Sequence, residues 1–77
     1  MTQKNLEPRY ALCLDNEGCR ASLEVRKIYQ VLPDSEAEQE GLIRVIDNSG
    51  EDYLYEGASF VFLKLPPKIE RLVAATL

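Results

Sequence analysis

The sequence predicts a mainly β protein, a five-stranded antiparallel barrel followed by one C-terminal helix. Short apolar runs rich in β-branched and aromatic residues recur along the chain, and turn-forming clusters separate them. Helical periodicity with an apolar stripe occurs only near the C-terminal end. No long crossover separates the strands, as parallel pairing would require. Small chains with this order of elements form antiparallel barrels or sandwiches.

The length of 77 residues allows one domain. With 45% hydrophobic and 29% charged residues, the composition is that of a globular chain and not of a disordered one. Residues 1–8 are polar, include Pro8 and show no periodicity, so we expect a flexible lead-in. The domain itself is predicted to span residues 9–77.

The first two predicted strands are apolar runs that end at turn residues. Residues 9–14 form a short run that the turn cluster at 15–18 closes, and this short length favours a strand over a helix. The second strand is predicted at 23–32, with a change of direction at 26–27 between its alternating and its β-branched parts. Pro33 ends it, because proline lacks the N–H that a central ladder needs.

The acidic segment at 35–41 has no apolar stripe and is predicted to be an exposed helical turn or two, outside the core. Asp34 or Ser35 can cap its N-terminus, and Gly41 can end it in a left-handed conformation. The third strand is predicted at 42–47.

A β-hairpin is predicted next. Residues 48–50 form a tight turn in which Gly50 can supply a positive φ, and residues 51–55 return as the second arm. A short break at 56–59, read as one 3₁₀ turn, leads into the last strand at 60–63.

The acids around the tip of this hairpin are Asp47, Glu51 and Asp52. We expect them to be solvated. The alternative is a weak site for a divalent cation, since hard cations are bound by several carboxylates.

The segment 67–77 predicts an amphipathic helix that starts at Pro67, a residue favoured in the first helical turn. Its apolar stripe has helical spacing and consists of Ile69, Leu72, Val73 and Leu77. A lone helix of this length is marginal in water, so the stripe requires a docking surface. We expect burial against the barrel of the same chain; the alternative is docking on another protomer or another protein.

Composition removes several classes of function. The chain has no His, the commonest general base and metal ligand, and its two Cys are too few for a structural zinc site. We therefore predict no enzyme activity, no catalytic residues, no cofactor and no metal. No long apolar run and no signal-peptide-like start are present, which predicts a cytoplasmic protein with no membrane partner and with reduced thiols.

Nucleic-acid binding is disfavoured because the formal net charge is -4 and the nine cations are scattered. A small RNA- or ribosome-associated barrel remains the alternative function, by analogy with other small barrels. The observation that would support it is convergence of four basic residues on one face with Tyr29. These basic residues are Arg20, Arg26, Lys27 and Arg44.

Two motifs at the ends of the predicted barrel follow a known pattern. Residues 11–15, Ala-Leu-Cys-Leu-Asp, stand in the place of an Ala-Leu-Tyr-Asp-Tyr strand end, and residues 53–61 match a closing Gly-Leu-Tyr-Pro-Ala-Ser-Tyr-Val segment with one extra residue. Between them, 33–41 takes the place of an n-Src loop and 48–50 that of a distal turn. Residues 9–64 thus resemble the SH3 family, and the whole chain is similar to short bacterial SH3-like proteins. The resemblance implies an SH3-like barrel.

The chain departs from the family at the peptide groove. SH3 domains hold Pro-rich PxxP ligands between aromatic rings. Here Cys13 and Asp15 replace the opening tyrosines, the chain has no Trp, and Leu42 begins the strand after the n-Src-like loop. Only Phe60 keeps an aromatic ring among these positions, so we expect no PxxP binding.

Two other surfaces are candidates for contact with a protein partner. Strand alternation places Tyr53 and Tyr55 on one face, and we expect both to be partly exposed beside Tyr29, with the pair Phe60 and Phe62 in the core. The alternative is that these aromatic residues pack under the C-terminal helix. The second surface is the acidic loop, whose fixed charge suits a basic partner. Its carboxylates are Glu36, Glu38 and Glu40. The predicted function is a non-catalytic protein-interaction module.

Overall fold

The computed structural model describes residues 9–76, which form one antiparallel sheet and two helices. The strands are β1 (Arg9–Cys13), β2 (Ile28–Leu32), β3 (Leu42–Ile46), β4 (Asp52–Glu56) and β5 (Phe60–Leu63). The helices are α1 (Ser35–Gln39) and α2 (Pro67–Thr76), and a 3₁₀ turn (Gly57–Ser59) joins β4 to β5. The predicted lead-in 1–8 and the last residue of the predicted helix, Leu77, lie outside the described residues.

The strand order is β4-β3-β2-β1-β5, and every neighbouring pair is antiparallel. The prediction of a mainly β fold with five antiparallel strands and a C-terminal helix is confirmed. The prediction of a closed barrel is wrong, because β4 and β5 are the two edges of the sheet and do not pair with each other.

The connection between the two edge strands explains this geometry. In a flat five-stranded sheet the edges would lie about 19 Å apart. The three-residue 3₁₀ turn between β4 and β5 spans at most about 14 Å. The sheet must therefore curl until the end of β4 approaches the start of β5, but the turn leaves no residues with which the two strands could form a ladder.

The core lies on one face of the curled sheet. Residues directly opposite each other in an antiparallel pair share a face, and the register places the clustered buried side chains of β1, β2, β3 and β5 on the same one. Leu23, from the loop 14–27, covers them and is buried as well. Buried Tyr10 lies on the other face. The core residues are Ala11, Cys13, Leu23, Tyr29, Val31, Ile43, Val45 and Phe60.

The predicted second strand is shorter than expected. Only Ile28–Leu32 forms β2, so the prediction of a strand at 23–27 is wrong. Arg26 adopts a left-handed φ of 72°, and its N–H donates to the Cys13 carbonyl at 2.7 Å. The change of direction indicated at 26–27 is thus sharp enough to stop the ladder, and residues 14–25 fold over the core as a compact loop.

Helix α1 begins and ends as the sequence indicates. Asp34 is its N-cap and accepts a hydrogen bond from the Ala37 N–H at 3.0 Å, and Gly41 follows the helix with a φ of 80°. The expectation that this segment stays outside the core is wrong for Ala37, which is buried. Asp34 also accepts a hydrogen bond from Arg44 Nε at 2.9 Å, which holds α1 on β3.

Helix α2 is formed, but its apolar stripe is not buried. None of the residues Pro67–Thr76 is buried, and the Leu72 side chain is 58% exposed. The expectation that the stripe packs into the body of the same chain is therefore wrong. The core face is already filled by Leu23 and its neighbours. On the opposite face α2 does not pack closely, because its Ala74 and Thr76 line an open cleft together with Gln30 and Ile46. No helix in the part of the chain from 9 to 76 is long and apolar enough to cross a membrane.

Candidate interaction surface

The three predicted tyrosines occupy very different environments. The register confirms that Tyr53 and Tyr55 lie on the same face, opposite Val45 and Ile43. Tyr53 is 51% exposed and Tyr55 is half-buried, whereas Tyr29 is only 3% exposed. The expected exposed cluster beside Tyr29 is therefore not formed, because Tyr29 belongs to the core.

Tyr29 is held in the core by both functions of its hydroxyl group. The hydroxyl accepts a hydrogen bond from the Glu24 N–H at 2.7 Å and donates one to Asn48 Oδ1 at 2.8 Å. Burial is the main cause that raises the pKa of Tyr29 above its ordinary value. The residue thus ties the loop 14–27 to the turn between β3 and β4.

The two phenylalanines do not form a core pair. Phe60 is buried and packs against Tyr29 edge to face, with ring centroids 6.3 Å apart, and against Tyr55 at 6.5 Å. Phe62 is 42% exposed, under the guanidinium of Arg9, which lies 4.5 Å from its ring centroid. Each predicted aromatic pair is thus split between a more buried and a more exposed member.

Two clefts open at Tyr55. The first has a volume of about 420 Å³ and lies between Tyr55 and the turn of the β3–β4 hairpin. It is lined by Ser22, Asp47, Ser49, Tyr53, Leu54 and Tyr55. The second has a volume of about 290 Å³ and lies between the loop 14–27 and the 3₁₀ turn. It is lined by Asp15, Glu17, Cys19, Leu23, Tyr55, Glu56, Ser59 and Phe60. We call these two clefts together the Tyr55 surface.

The charged side chains of the Tyr55 surface are all acidic. Asp15, Glu17 and Glu56 line the second cleft, and all three residues are exposed. Asp47 lines the first cleft, and no Lys or Arg lines either one. The surface therefore combines an exposed aromatic ring, that of Tyr53, with an electrostatic field of one sign, which attracts cationic groups.

Asp47 is the buried polar residue of this surface, with 6% of the residue exposed. Its Oδ1 accepts hydrogen bonds from the Ser49 hydroxyl at 2.6 Å and the Ser49 N–H at 2.9 Å, and its Oδ2 accepts one from the Tyr55 hydroxyl at 2.6 Å. Burial, the largest single influence, acts to raise the pKa of Asp47, but these hydrogen bonds together outweigh it and hold the pKa below its ordinary value. For Tyr55, burial first and the bond to Asp47 second raise the pKa, which keeps the phenol protonated.

The acids at the hairpin tip do not converge on a common point. Asp47 is bonded to Ser49 and Tyr55, Asp52 accepts from Arg44 Nη1 at 3.0 Å, and Glu51 accepts from the Tyr53 hydroxyl at 2.9 Å. The expectation that Asp47 is solvated is wrong. Within residues 9–76, no group of three or more potential metal ligands is close enough to hold a metal ion.

The acidic loop is separate from the Tyr55 surface. Glu36, Glu38 and Glu40 are exposed on or beside α1, and no α1 residue lines either cleft. Glu38 forms an ion pair with Arg9, so part of its charge is already neutralised. The structure therefore presents the predicted tyrosines and the predicted carboxylates as two distinct surfaces.

The four basic residues named for an RNA-associated function do not converge on one face with Tyr29, although Lys27 lies beside it, with its Nζ 5.2 Å from the centroid of the Tyr29 ring. Arg44 lies on the opposite face of the sheet, opposite Leu54 in the β3–β4 register, and pairs with Asp34 and Asp52. Lys27 donates to Asn48 Oδ1 at 2.9 Å. This dispersal is the arrangement that counts against nucleic-acid binding.

Sequence reasoning missed the acids of the second cleft. Asp15 and Glu17 lie in the loop after β1, and Glu56 ends β4. The SH3 resemblance could have indicated them, because it places the loop 14–27 against the closing segment 53–61 and so brings these three carboxylates together. The sequence does not group them, because Glu56 lies far along the chain from Asp15 and Glu17.

The two cysteines are free thiols in different environments. Cys13 is buried, and burial is the main cause that raises the pKa of its thiol. Cys19 is only half-buried and packs against the core while lining the second cleft. A thiol with a raised pKa is a poor nucleophile at neutral pH, so Cys13 has a packing role.

Comparison of the chain with protein-family models, with curated proteins and with solved structures finds no match.

Proposed function

We propose that this protein is a non-catalytic interaction module of the SH3-like class, and that it binds a basic segment of another protein on the Tyr55 surface. The observation that carries the proposal is the lining of the two clefts at Tyr55. Their charged residues are all acidic, and the exposed ring of Tyr53 lines the first cleft. Such a surface is complementary to a segment that carries Lys or Arg next to apolar side chains.

Each group on this surface has a physical role in the proposed recognition. The exposed ring of Tyr53 offers apolar area that a partner can bury. Asp15, Glu17 and Glu56 are exposed and attract cations, which raises the association rate and selects the partner by charge. Tyr55, fixed by Phe60 and Asp47, forms a rigid ridge between the two clefts.

The SH3-like assignment is supported by where the connections fall. A long loop follows β1, α1 lies in the n-Src-like segment, the hairpin turn falls at 48–50, and a 3₁₀ turn precedes the last strand. These are the positions that the resemblance implies. A cytoplasmic setting is part of the proposal, and the two free cysteines support it, because thiols stay reduced in that compartment.

Selection from a random peptide library displayed on phage tests the proposal. We expect the full chain to enrich peptides rich in Lys and Arg. A triple variant, Asp15→Asn, Glu17→Gln and Glu56→Gln, removes the charge of the second cleft with little change of shape. It should weaken binding of a selected peptide about tenfold or more, since each exposed charge pair contributes up to about 1 kcal/mol.

A matched control uses the other acidic surface. The double variant Glu36→Gln and Glu40→Gln removes exposed carboxylates that line neither cleft, and it should leave peptide affinity unchanged. Enrichment of peptides without basic residues would contradict the proposal. Equal losses in the α1 variant and in the cleft variant would show that net charge, and not the Tyr55 surface, governs binding.

A further inference from the structure

The two edges of the sheet differ in charge. Each edge strand has a single neighbour among the described strands, so each presents backbone N–H and C=O groups to which no strand is bonded. β5 consists of four uncharged residues, whereas β4 begins with Asp52 and ends with Glu56. An uncharged open edge is the kind that accepts another strand.

The ladder between β1 and β5 fixes which groups of β5 point outward. Leu14 N–H donates to the Ser59 carbonyl at 2.8 Å, one position before β5 begins. Along an antiparallel strand, every second residue forms its backbone hydrogen bonds with the neighbour on one side, and the residues between direct theirs to the other side. Val61 and Leu63 therefore bond to β1, and Phe62 directs both its N–H and its C=O to the open side.

The outward backbone groups of β5 can form hydrogen bonds with the same groups of a second copy. The Phe60 N–H already donates to the Gly57 carbonyl, so Phe60 offers only its C=O. When a second copy pairs antiparallel with β5 about Phe62, the N–H of each Phe62 donates to the C=O of the other Phe62. The N–H of each Lys64 also donates to the Phe60 carbonyl of the other copy. A register centred on Val61 makes fewer bonds, because it requires the Phe60 N–H that is already used.

We propose that β5 is a dimerisation edge, and that two copies of this chain pair antiparallel about a two-fold axis at Phe62. The pairing joins two five-stranded sheets into one. On the core-side face the two Phe62 rings meet, each beside an Arg9 guanidinium. On the other face Val61 lies opposite Leu63 of the copy. Aromatic and aliphatic cross-strand pairs of this kind stabilise a sheet.

The opposite edge does not permit the same pairing. Asp47 N–H donates to the Glu51 carbonyl, so Asp52, Leu54 and Glu56 are the residues of β4 with outward backbone groups. Two copies centred on Leu54 would place Asp52 directly against Glu56 of the copy, twice. Like charges directly opposite are destabilising. Pairing of β4 with β5 of another copy is head-to-tail and leads to rings or filaments, not to a two-fold dimer.

Sedimentation equilibrium and amide hydrogen exchange of the full chain test the proposal over a concentration range from micromolar to millimolar. We expect the mass to rise from 8.7 kDa toward twice that value. Exchange of the Phe62 amide should slow as the dimer forms, while the Val61 and Leu63 amides stay protected at every concentration. A monomer throughout would overturn the proposal. So would a Phe62 amide that is protected at the lowest concentration, because a segment of the same chain would then cover the edge.

Charge variants provide the decisive control. Phe62→Lys and Phe62→Glu each place like charges together at the two-fold axis, so each variant alone should be monomeric. An equimolar mixture should form a heterodimer, because the opposite charges then meet. Leu54→Lys changes a residue of matched exposure, 43% against 42%, on the other edge and should leave the dimer intact. A mixture of folded variants that stays monomeric, or loss of the dimer in Leu54→Lys, would overturn the proposal.

Discussion

Tyr55 donates a hydrogen bond of 2.6 Å to Asp47 Oδ2, and this contact joins the centre of the Tyr55 surface to the buried start of the β3–β4 turn. The carboxylate also accepts two bonds from Ser49. The position of the tyrosine ring on the surface therefore depends on a charge that is hidden beneath it.

Tyr55→Phe is expected to lower the free energy of unfolding at pH 7 by about 1.5–3 kcal/mol, the usual contribution of a hydrogen bond to a charged group, while the ring keeps its packing against Phe60. The loss should depend on pH. The pKa of Asp47 in the folded state lies below its ordinary value of 3.8, so the charged carboxylate stabilises the fold fully above pH 3.8. That contribution disappears as the pH falls through the folded-state pKa. Urea unfolding of both proteins at pH 7 and at pH 3 should show the difference shrinking in acid; an equal difference at both values would contradict the role of the charge.

Tyr29→Phe is expected to cost about 1–2 kcal/mol, because the buried hydroxyl makes two hydrogen bonds that the ring alone cannot replace. Amide exchange at Glu24 should become faster, since its N–H loses its acceptor. Tyr53→Phe is the matched control, because its hydroxyl is exposed and bonds only to Glu51. Thermal unfolding should leave the control at the wild-type temperature, and a similar shift in both variants would refute this account.

Leu72→Ala is expected to leave the unfolding free energy almost unchanged, because the side chain is 58% exposed on α2. Leu23→Ala removes a fully buried side chain and should cost about 3 kcal/mol. Chemical denaturation monitored by circular dichroism distinguishes the two. A large effect of Leu72→Ala would mean that the apolar stripe of α2 is covered in solution.

Titration with PxxP peptides is expected to give no saturable shifts in the NMR spectrum. Phe60 is the one aromatic residue retained at the family's groove positions, and it is buried against Tyr29 and Tyr55. Cys13 is buried as well. A micromolar response localised at Asp15 and Phe60 would contradict this prediction.

Most helices, strands and turns can be predicted from the sequence, because each is determined by a few residues that are close together in the chain. The turn that contains Gly50, the N-cap at Asp34 and the 3₁₀ turn before Phe60 are each set by a few neighbouring residues, and each is present where it was predicted. Alternation likewise assigned Tyr53 and Tyr55 to one face, since the side-chain period of a strand is two.

The errors concern how elements meet in three dimensions. Helical spacing shows that α2 has an apolar stripe, but not whether the sheet offers a surface that buries it. Composition marks Asp47 as a turn acid, but its burial depends on Tyr55 and Ser49 closing over it. The acids of the second cleft are neighbours because the loop after β1 lies over the core, and this placement depends on tertiary contacts that local sequence patterns do not show.

Because Cys13 lies beside β5, the reactivity of its buried thiol can report local unfolding of that strand. Cys13 lies directly opposite Phe60, and these partners come from nearly opposite ends of the described chain. β5 is an edge strand with one neighbour among the described strands, and the helix that follows it buries no residue, so we expect β5 to detach more readily than the central strands. Detachment uncovers the Cys13 sulfur. The alkylation rate of Cys13 under native conditions would then measure how often β5 detaches. The half-buried thiol of Cys19 serves as the internal reference for reagent reactivity.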